Sequence, residues 1–357
     1  MGTSNYKIAL LKGDGIGPEV IEAAMTVLQR ASSVHGFNLQ YQDVDAGAQY
    51  YQRTGESISA ASMESIGKAD AVLLGAMGLP HVRKPDGTEI APQIDIREHY
   101  KLFASLRPAK LFKGVLGPLR TESVDMLVIR ETTEGLFAGR HDRLEPSDSS
   151  VSDRMTITRE ICEKLFELAF AQARLRRRQG SPGHVTLFDK ANVLRSNAFM
   201  RKVFDEVAAR HLDIGADRIY IDAGSMMMVM NPARFDVIVT ENVFGDIVSE
   251  IAAGIVGGLG VAPSADVSKE HAVFQPCHGT APDIAGKGIA NPVATILSAA
   301  MMLDWIGERH SDTSCLNAAA SIRTATARVL ESGPRTRDLA GTASSAEVSA
   351  AIAAAVS

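Results

Sequence analysis

Short apolar runs, each bounded by glycine or charge, alternate along the chain with stretches in which apolar residues recur every three to four positions. That alternation restricts the fold. A strand buried on both faces needs helices over it, and a helix with one apolar stripe needs a sheet beneath it. Residues 8–11, 69–74, 126–129, 185–188, 218–222 and 237–240 read as strands, and 18–33, 60–67, 158–178, 197–211 and the stretch after Phe244 read as helices. Residues 294–307, 316–332 and 346–356 form alanine-rich helical patterns. The expectation is an α/β architecture with a largely parallel sheet. No internal repeat or low-complexity linker divides the 357 residues, so any domains interleave rather than follow one another.

A net charge of −5 with no basic stripe argues against nucleic acid as a partner. The densest positive run, Arg174 with Arg176, Arg177 and Arg178, ends a helical pattern just before Gln179-Gly180-Ser181-Pro182-Gly183, where cations complement the helix dipole. Cys162, Cys277 and Cys315 are odd in number and widely spaced, which suits a reducing compartment and neither a disulfide framework nor a zinc site. Tyr6-Lys7-Ile8-Ala9-Leu10-Leu11 reads as a strand rather than a signal segment, and no apolar run is long enough to span a bilayer. A cytoplasmic protein without a membrane partner is expected.

Gly13-Asp14-Gly15-Ile16-Gly17-Pro18 follows a strand and opens a helix, as a dinucleotide-binding loop does. The third glycine of that fingerprint is replaced by Pro18, and no acidic residue stands clearly at the next strand end. Glycines before a proline in the first helical turn also suit a plain strand-to-helix turn.

Other segments carry more chemistry. Arg97, Arg107 and Arg130, the last ending an apolar strand, are candidates for an anion clamp, since guanidinium groups grip carboxylates bidentately. Asp246 and Glu250 lie four apart on one helix face. They form either a solvated acidic face or oxygen ligands for Mg2+ or Mn2+, with Asp222 as a third ligand at the end of a buried strand. Lys190, in Phe188-Asp189-Lys190-Ala191-Asn192-Val193, follows a strand; it is an ordinary lysine or a general base whose pKa neighbouring cations depress. The glycine-rich loop from His278-Gly279-Thr280-Ala281-Pro282-Asp283 to Asn291-Pro292 can bring backbone N–H groups to a phosphate.

That loop, together with Asp189-Lys190-Ala191-Asn192-Val193 and Phe244-Gly245-Asp246-Ile247, resembles the isocitrate/isopropylmalate dehydrogenase family, and the likeness runs from Gly13 to Leu339. The resemblance implies that family's two-domain α/β fold with a non-Rossmann NAD site. A large domain would comprise residues 1–104 and 258–357, and a small domain 105–257 with a dimer-forming arm near 138–155. The substrate cleft would lie between the domains. It further implies that Arg97, Arg107 and Arg130 hold the carboxylates of a malate-like dicarboxylic 2-hydroxy acid. Asp222, Asp246 and Glu250 would bind Mg2+ or Mn2+, and Lys190 with Asp222 would act catalytically from a second subunit of a homodimer. His278, Gly279, Thr280, Ala281, Asp283 and Asn291 would bind the cofactor. Asp283 implies NAD, because a carboxylate accepts ribose hydroxyls and repels a 2′-phosphate. The expected reaction is NAD-linked oxidation, usually with decarboxylation, of 3-isopropylmalate or an acid of the tartrate or D-malate type.

Three positions depart from the family pattern. Phe137 stands where a tyrosine usually returns a proton after decarboxylation, leaving water, another group or His141 to do so, or oxidation weakly coupled to CO2 loss. Glu250 replaces an aspartate. Gln93, four residues before Arg97, stands where a leucine suits an isopropyl group, and a buried amide favours a polar substituent. Phe137 and Glu250 leave room for one alternative, a catalytically reduced regulatory paralogue that binds ligand within a dehydrogenase assembly.

Overall fold

The computed structural model describes residues 4–119, 121, 123–140, 142 and 149–357. His141 and part of the expected arm lie outside the described residues. The strands are β1 (Ser4–Gly13), β2 (Phe37–Asp43), β3 (Ala71–Ala76), β4 (Ala104–Lys110), β5 (Asp125–Glu131), β6 (His184–Asp189), β7 (Gly215–Tyr220), β8 (Val237–Thr240), β9 (Pro263–Val267) and β10 (Ala272–Pro276). The α-helices are α1 (Gly17–His35), α2 (Ala48–Thr54), α3 (Ala60–Gly67), α4 (Pro92–His99), α5 (Arg159–Arg178), α6 (Arg195–Ala208), α7 (Ile221–Met230), α8 (Asn242–Ile255), α9 (Val293–His310), α10 (Thr313–Ser332) and α11 (Ser345–Ala355).

Contacts divide the chain into two compact units, one of Met1–Tyr100, Leu111–Pro118 and Val256–Ser357, the other of Lys101–Lys110 and Leu119–Ile255. In the first unit the strands run in the order β2-β1-β3-β10-β9. Pairing is parallel except between β10 and β9. Helix α1 shows why the layers form. Proline occupies its first turn, Gly36 closes it in the left-handed conformation, and Val20, Ala24, Val27, Leu28 and Ala31 are buried. Leu28 is fully buried, so truncation to alanine costs roughly 2–5 kcal/mol.

In the second unit the order is β4-β5-β8-β6-β7, with only β4 and β5 antiparallel. Met126, Leu127, Val128 and Ile129 of β5 and all of β8 are buried, as apolar runs in parallel sheets are. The arginine run at the end of α5 is held by more than the helix dipole: Arg174 pairs with Asp213, and Arg176 with Asp125 and Asp236. One expectation fails here. Residues 218–222 are not a buried strand: β7 is an edge strand that ends at Tyr220, and Asp222 sits exposed in the first turn of α7. An edge strand needs no continuous apolar run, and Ile219 and Ile221 made the strand look longer than it is.

Candidate active site

In the second unit, β4 and β5 pair antiparallel and bring Arg107 and Arg130 to the start of α8. Both side chains are more than nine-tenths buried. Arg107 Nη1 donates to Asp246 Oδ1 at 3.2 Å and to Ser249 Oγ at 2.8 Å. Arg130 Nη1 donates to the same Asp246 oxygen. The Asp246 carboxylate, nearly half exposed, is the shared counter-ion of two buried cations and stays open to solvent. Asn242 Oδ1 takes the other edge of Arg130, accepting from Nε at 3.1 Å and Nη2 at 2.8 Å. The glycine of Phe244-Gly245-Asp246 has a reason here, since a Cβ at Gly245 would stand 2.6 Å from Arg130 Cγ. Glu241 caps α8 by accepting from the N–H groups of Val243 and Phe244. The Phe137 ring lies 5.7 Å from the Arg130 guanidinium carbon, a cation–π contact that needs no hydroxyl. Glu250 is exposed on the same helix, one turn beyond Asp246.

Lys190 directly follows β6, and its ammonium pairs with Asp222 Oδ1 at 2.9 Å. That hydrogen bond holds the exposed Asp222 carboxyl below its ordinary range. The Lys190 backbone N–H donates to buried Asn197. The neighbouring Asp189, fully buried, takes Arg201 through both oxygens. Arg201 and Lys190 both lie over the Tyr220 ring, at 4.9 and 5.8 Å. Among the described residues, no group of three His, Cys, Asp or Glu within one chain is placed to hold a metal ion.

In the first unit, Arg97 on α4 is buried and donates from Nε to Asp266 Oδ2 at 2.7 Å, an oxygen that Gln275 also reaches. Gln93, one turn earlier, has a buried Oε1 with no hydrogen-bond donor. The loop between β10 and α9 packs on the first glycine loop: Ile16 N–H donates to Thr280 O at 2.9 Å, and Ile16, Val20 and Ala290 form a cluster against Ala281, Ile284 and Ala285. The two glycine-rich loops that the sequence shows far apart are thus layers of one structure. The first is the support, because Asp14, fully buried, uses its carboxylate to accept from the N–H groups of Ala48, Gln49 and Gly78. Ala281 holds a positive φ of 38° within the second loop, and the space beside Gly279 is open. Asp283 is exposed. Burial pushes the His278 ring below its ordinary pKa. The neutral ring donates from Nδ1 to Gly279 O at 2.9 Å, which leaves Nε2 as a buried acceptor without a partner. The Asn291 side chain anchors the end of the loop, donating to Asp338 and accepting from Val293 N–H at the start of α9. Asn242, Ser249 and Asp266 were not legible as site residues, because each is defined by a side-chain bond to an arginine more than a hundred positions away.

Residues 7–354 match the isocitrate/isopropylmalate dehydrogenase family. The 3-isopropylmalate/3-methylmalate dehydrogenase of Methanocaldococcus jannaschii is 40% identical over 351 residues, 98% of each chain. Among solved structures, isocitrate dehydrogenase from Methylococcus capsulatus superposes with a TM-score of 0.85 at 35% identity, covering 98% of this chain and 99% of that one. A beta-decarboxylating dehydrogenase from Thermococcus kodakarensis gives a TM-score of 0.80 at 34% identity, over 98% and 96% of the two chains. Fold and sequence together define an α/β oxidoreductase. The chain belongs to the isocitrate/isopropylmalate dehydrogenase family.

Proposed function

We propose that the protein is an NAD-linked, Mg2+- or Mn2+-dependent dehydrogenase that oxidises a malate-like 2-hydroxy acid and releases the neighbouring carboxylate as CO2. The observation that carries this reading is the pair of buried arginines sharing Asp246. Two guanidinium groups held next to one half-exposed carboxylate make a receptor for an anion beside a cation. The malate skeleton named for the Methanocaldococcus jannaschii relative supports the substrate class.

In this reading Arg107 and Arg130, with Arg97, hold the substrate's carboxylates, and Lys190 accepts the proton of the C2 hydroxyl. Asp246 and Glu250 of one chain, with Asp222 of a second copy, form the metal site. The donor set fits a hard divalent cation, being carboxylate oxygen throughout, with Asp246 and Asp222 both solvent-accessible. Bound there, the cation lowers the pKa of the hydroxyl and stabilises charge on the oxidised product. The exposed apolar residues Met226, Val229 and Met230 on α7 and Ile247 on α8 support a homodimer in which Lys190 and Asp222 serve the other copy's site.

The cofactor reading rests on the loop from His278 to Asn291. The unpartnered His278 Nε2 acceptor fits the exocyclic amine of adenine, and Gly279 offers backbone at an open surface, with Thr280 and Ala281 continuing the loop beside it. Exposed Asp283 favours ribose hydroxyls over a 2′-phosphate, hence NAD. Asn291 acts by fixing the loop. The orphaned Gln93 oxygen supports a hydroxyl on the substrate, as in tartrate, over an isopropyl group. Phe137 supplies no proton, so water returns it to the enol; a CO2-to-NADH ratio below one would mark loose coupling instead. Three free cysteines suit the cytoplasm. No described helix is long and apolar enough to cross a membrane. NADH formation from 3-isopropylmalate, D-malate, tartrate and isocitrate, with and without Mn2+, tests the whole reading.

A further inference from the structure

Asn242 occupies a position where simple electrostatics favours an acid twice over. It is fully buried against the Arg130 guanidinium, and a buried cation gains most from a charged partner. It is also the first residue of α8, where the helix dipole favours negative charge. Aspartate has nearly the same shape. The chain nevertheless places the neutral amide here and puts its carboxylate one residue earlier, at Glu241, which caps the helix instead. The amide's other end donates from Nδ2 to Glu134 O at 3.0 Å, fixing the plane in which Oδ1 meets Arg130.

We infer that Asn242 is a positioning residue that orients Arg130 without adding a second carboxylate to the one that Arg130 and Arg107 share at Asp246, so that the two guanidinium groups keep a net positive charge for a carboxylate of the substrate. The inference rests on the reading of Arg130 as a substrate ligand. A carboxylate at position 242 subtracts directly from the attraction that an incoming anion feels, whereas an amide fixes the same geometry and leaves that attraction intact. The residue thereby sets affinity for the acid and has no part in holding NAD.

Steady-state kinetics of Asn242→Asp, Asn242→Ala and Arg130→Ala test this, with 3-isopropylmalate, D-malate and tartrate as the acids and a thermal melt of each variant. Asn242→Asp is expected to melt close to the wild type, to raise KM for the acid at least about tenfold, and to leave KM for NAD unchanged. Asn242→Ala keeps the charge and loses the anchor, so it lowers kcat more than it raises KM for the acid. If Arg130→Ala raises the acid KM and Asn242→Asp does not, the inference falls and the role of Arg130 stands. If neither variant raises it, the role of Arg130 falls as well. Equal losses in kcat, in both KM values and in melting temperature make Asn242 merely structural and overturn the inference. Should Asn242→Asp not fold, Asn242→Ala decides: an acid KM raised as far as in Arg130→Ala, with kcat preserved, contradicts it.

Discussion

Arg107 and Arg130, on neighbouring antiparallel strands, donate to one and the same oxygen of Asp246. The carboxylate proposed to hold the cation is therefore also the counter-ion of the proposed substrate clamp. Asp246→Asn keeps an oxygen in place and removes the charge, leaving both buried guanidinium groups underneutralised. Urea unfolding should show a loss of about 1–3 kcal/mol, and Mn2+ should no longer raise the melting temperature. Wild-type stability in metal-free buffer would mean that Asp246 does not balance the two arginines.

Much of this was legible from the sequence, and what was not has a common cause. The apolar runs of β5, β6 and β8 are readable because parallel strands buried on both faces have no polar alternation. Helices α9, α10 and α11 fall within three residues of their expected bounds, since each carries a long apolar stripe. Asp222 was misplaced because β7 is an exposed edge strand whose end is marked by no turn residue. Asn242 and the stacking of the two glycine loops are set by contacts across long sequence separations, which local pattern does not encode.

Gly15 has a φ of +59°, and a Cβ there would lie 2.1 Å from Thr280 O. Gly15→Ala must shift the loop from His278 to Asn291 or strain its own backbone. The expected result is a lower melting temperature and a raised KM for NAD, with KM for the acid unchanged. An unchanged KM for NAD would detach the first glycine loop from the cofactor loop.

Burial pushes the Glu131 carboxyl up to about 7 from 4.5, despite the bonds that it accepts from Thr133 and Glu134. The folded chain thus holds this proton more tightly than the unfolded chain. The stability it contributes declines as pH rises from about 4.5 through about 7. Glu131→Gln cannot titrate, so its melting temperature should gain on the wild type across that window. Parallel melting curves at all pH values would show that Glu131 ionises as it does in the unfolded chain.

Gln93→Leu replaces the orphaned amide with an apolar side chain of similar length. Relative kcat/KM should move toward 3-isopropylmalate and away from tartrate by roughly tenfold or more. A preference that does not change would remove Gln93 from the substrate's surroundings.

Metal-dependent hydride transfer from a malate-like acid to NAD is the reaction proposed for the site. Its most direct test is the initial rate of NADH formation by the purified protein with the four acids, in Mn2+ and again after chelation, with Lys190→Ala alongside. Turnover of at least one acid in Mn2+ is expected, lost on chelation and recovered when Mn2+ is restored. The rate for Lys190→Ala is expected to be lower by about a hundredfold or more. No NADH from any of the acids, or a rate indifferent to both chelation and Lys190→Ala, would contradict it.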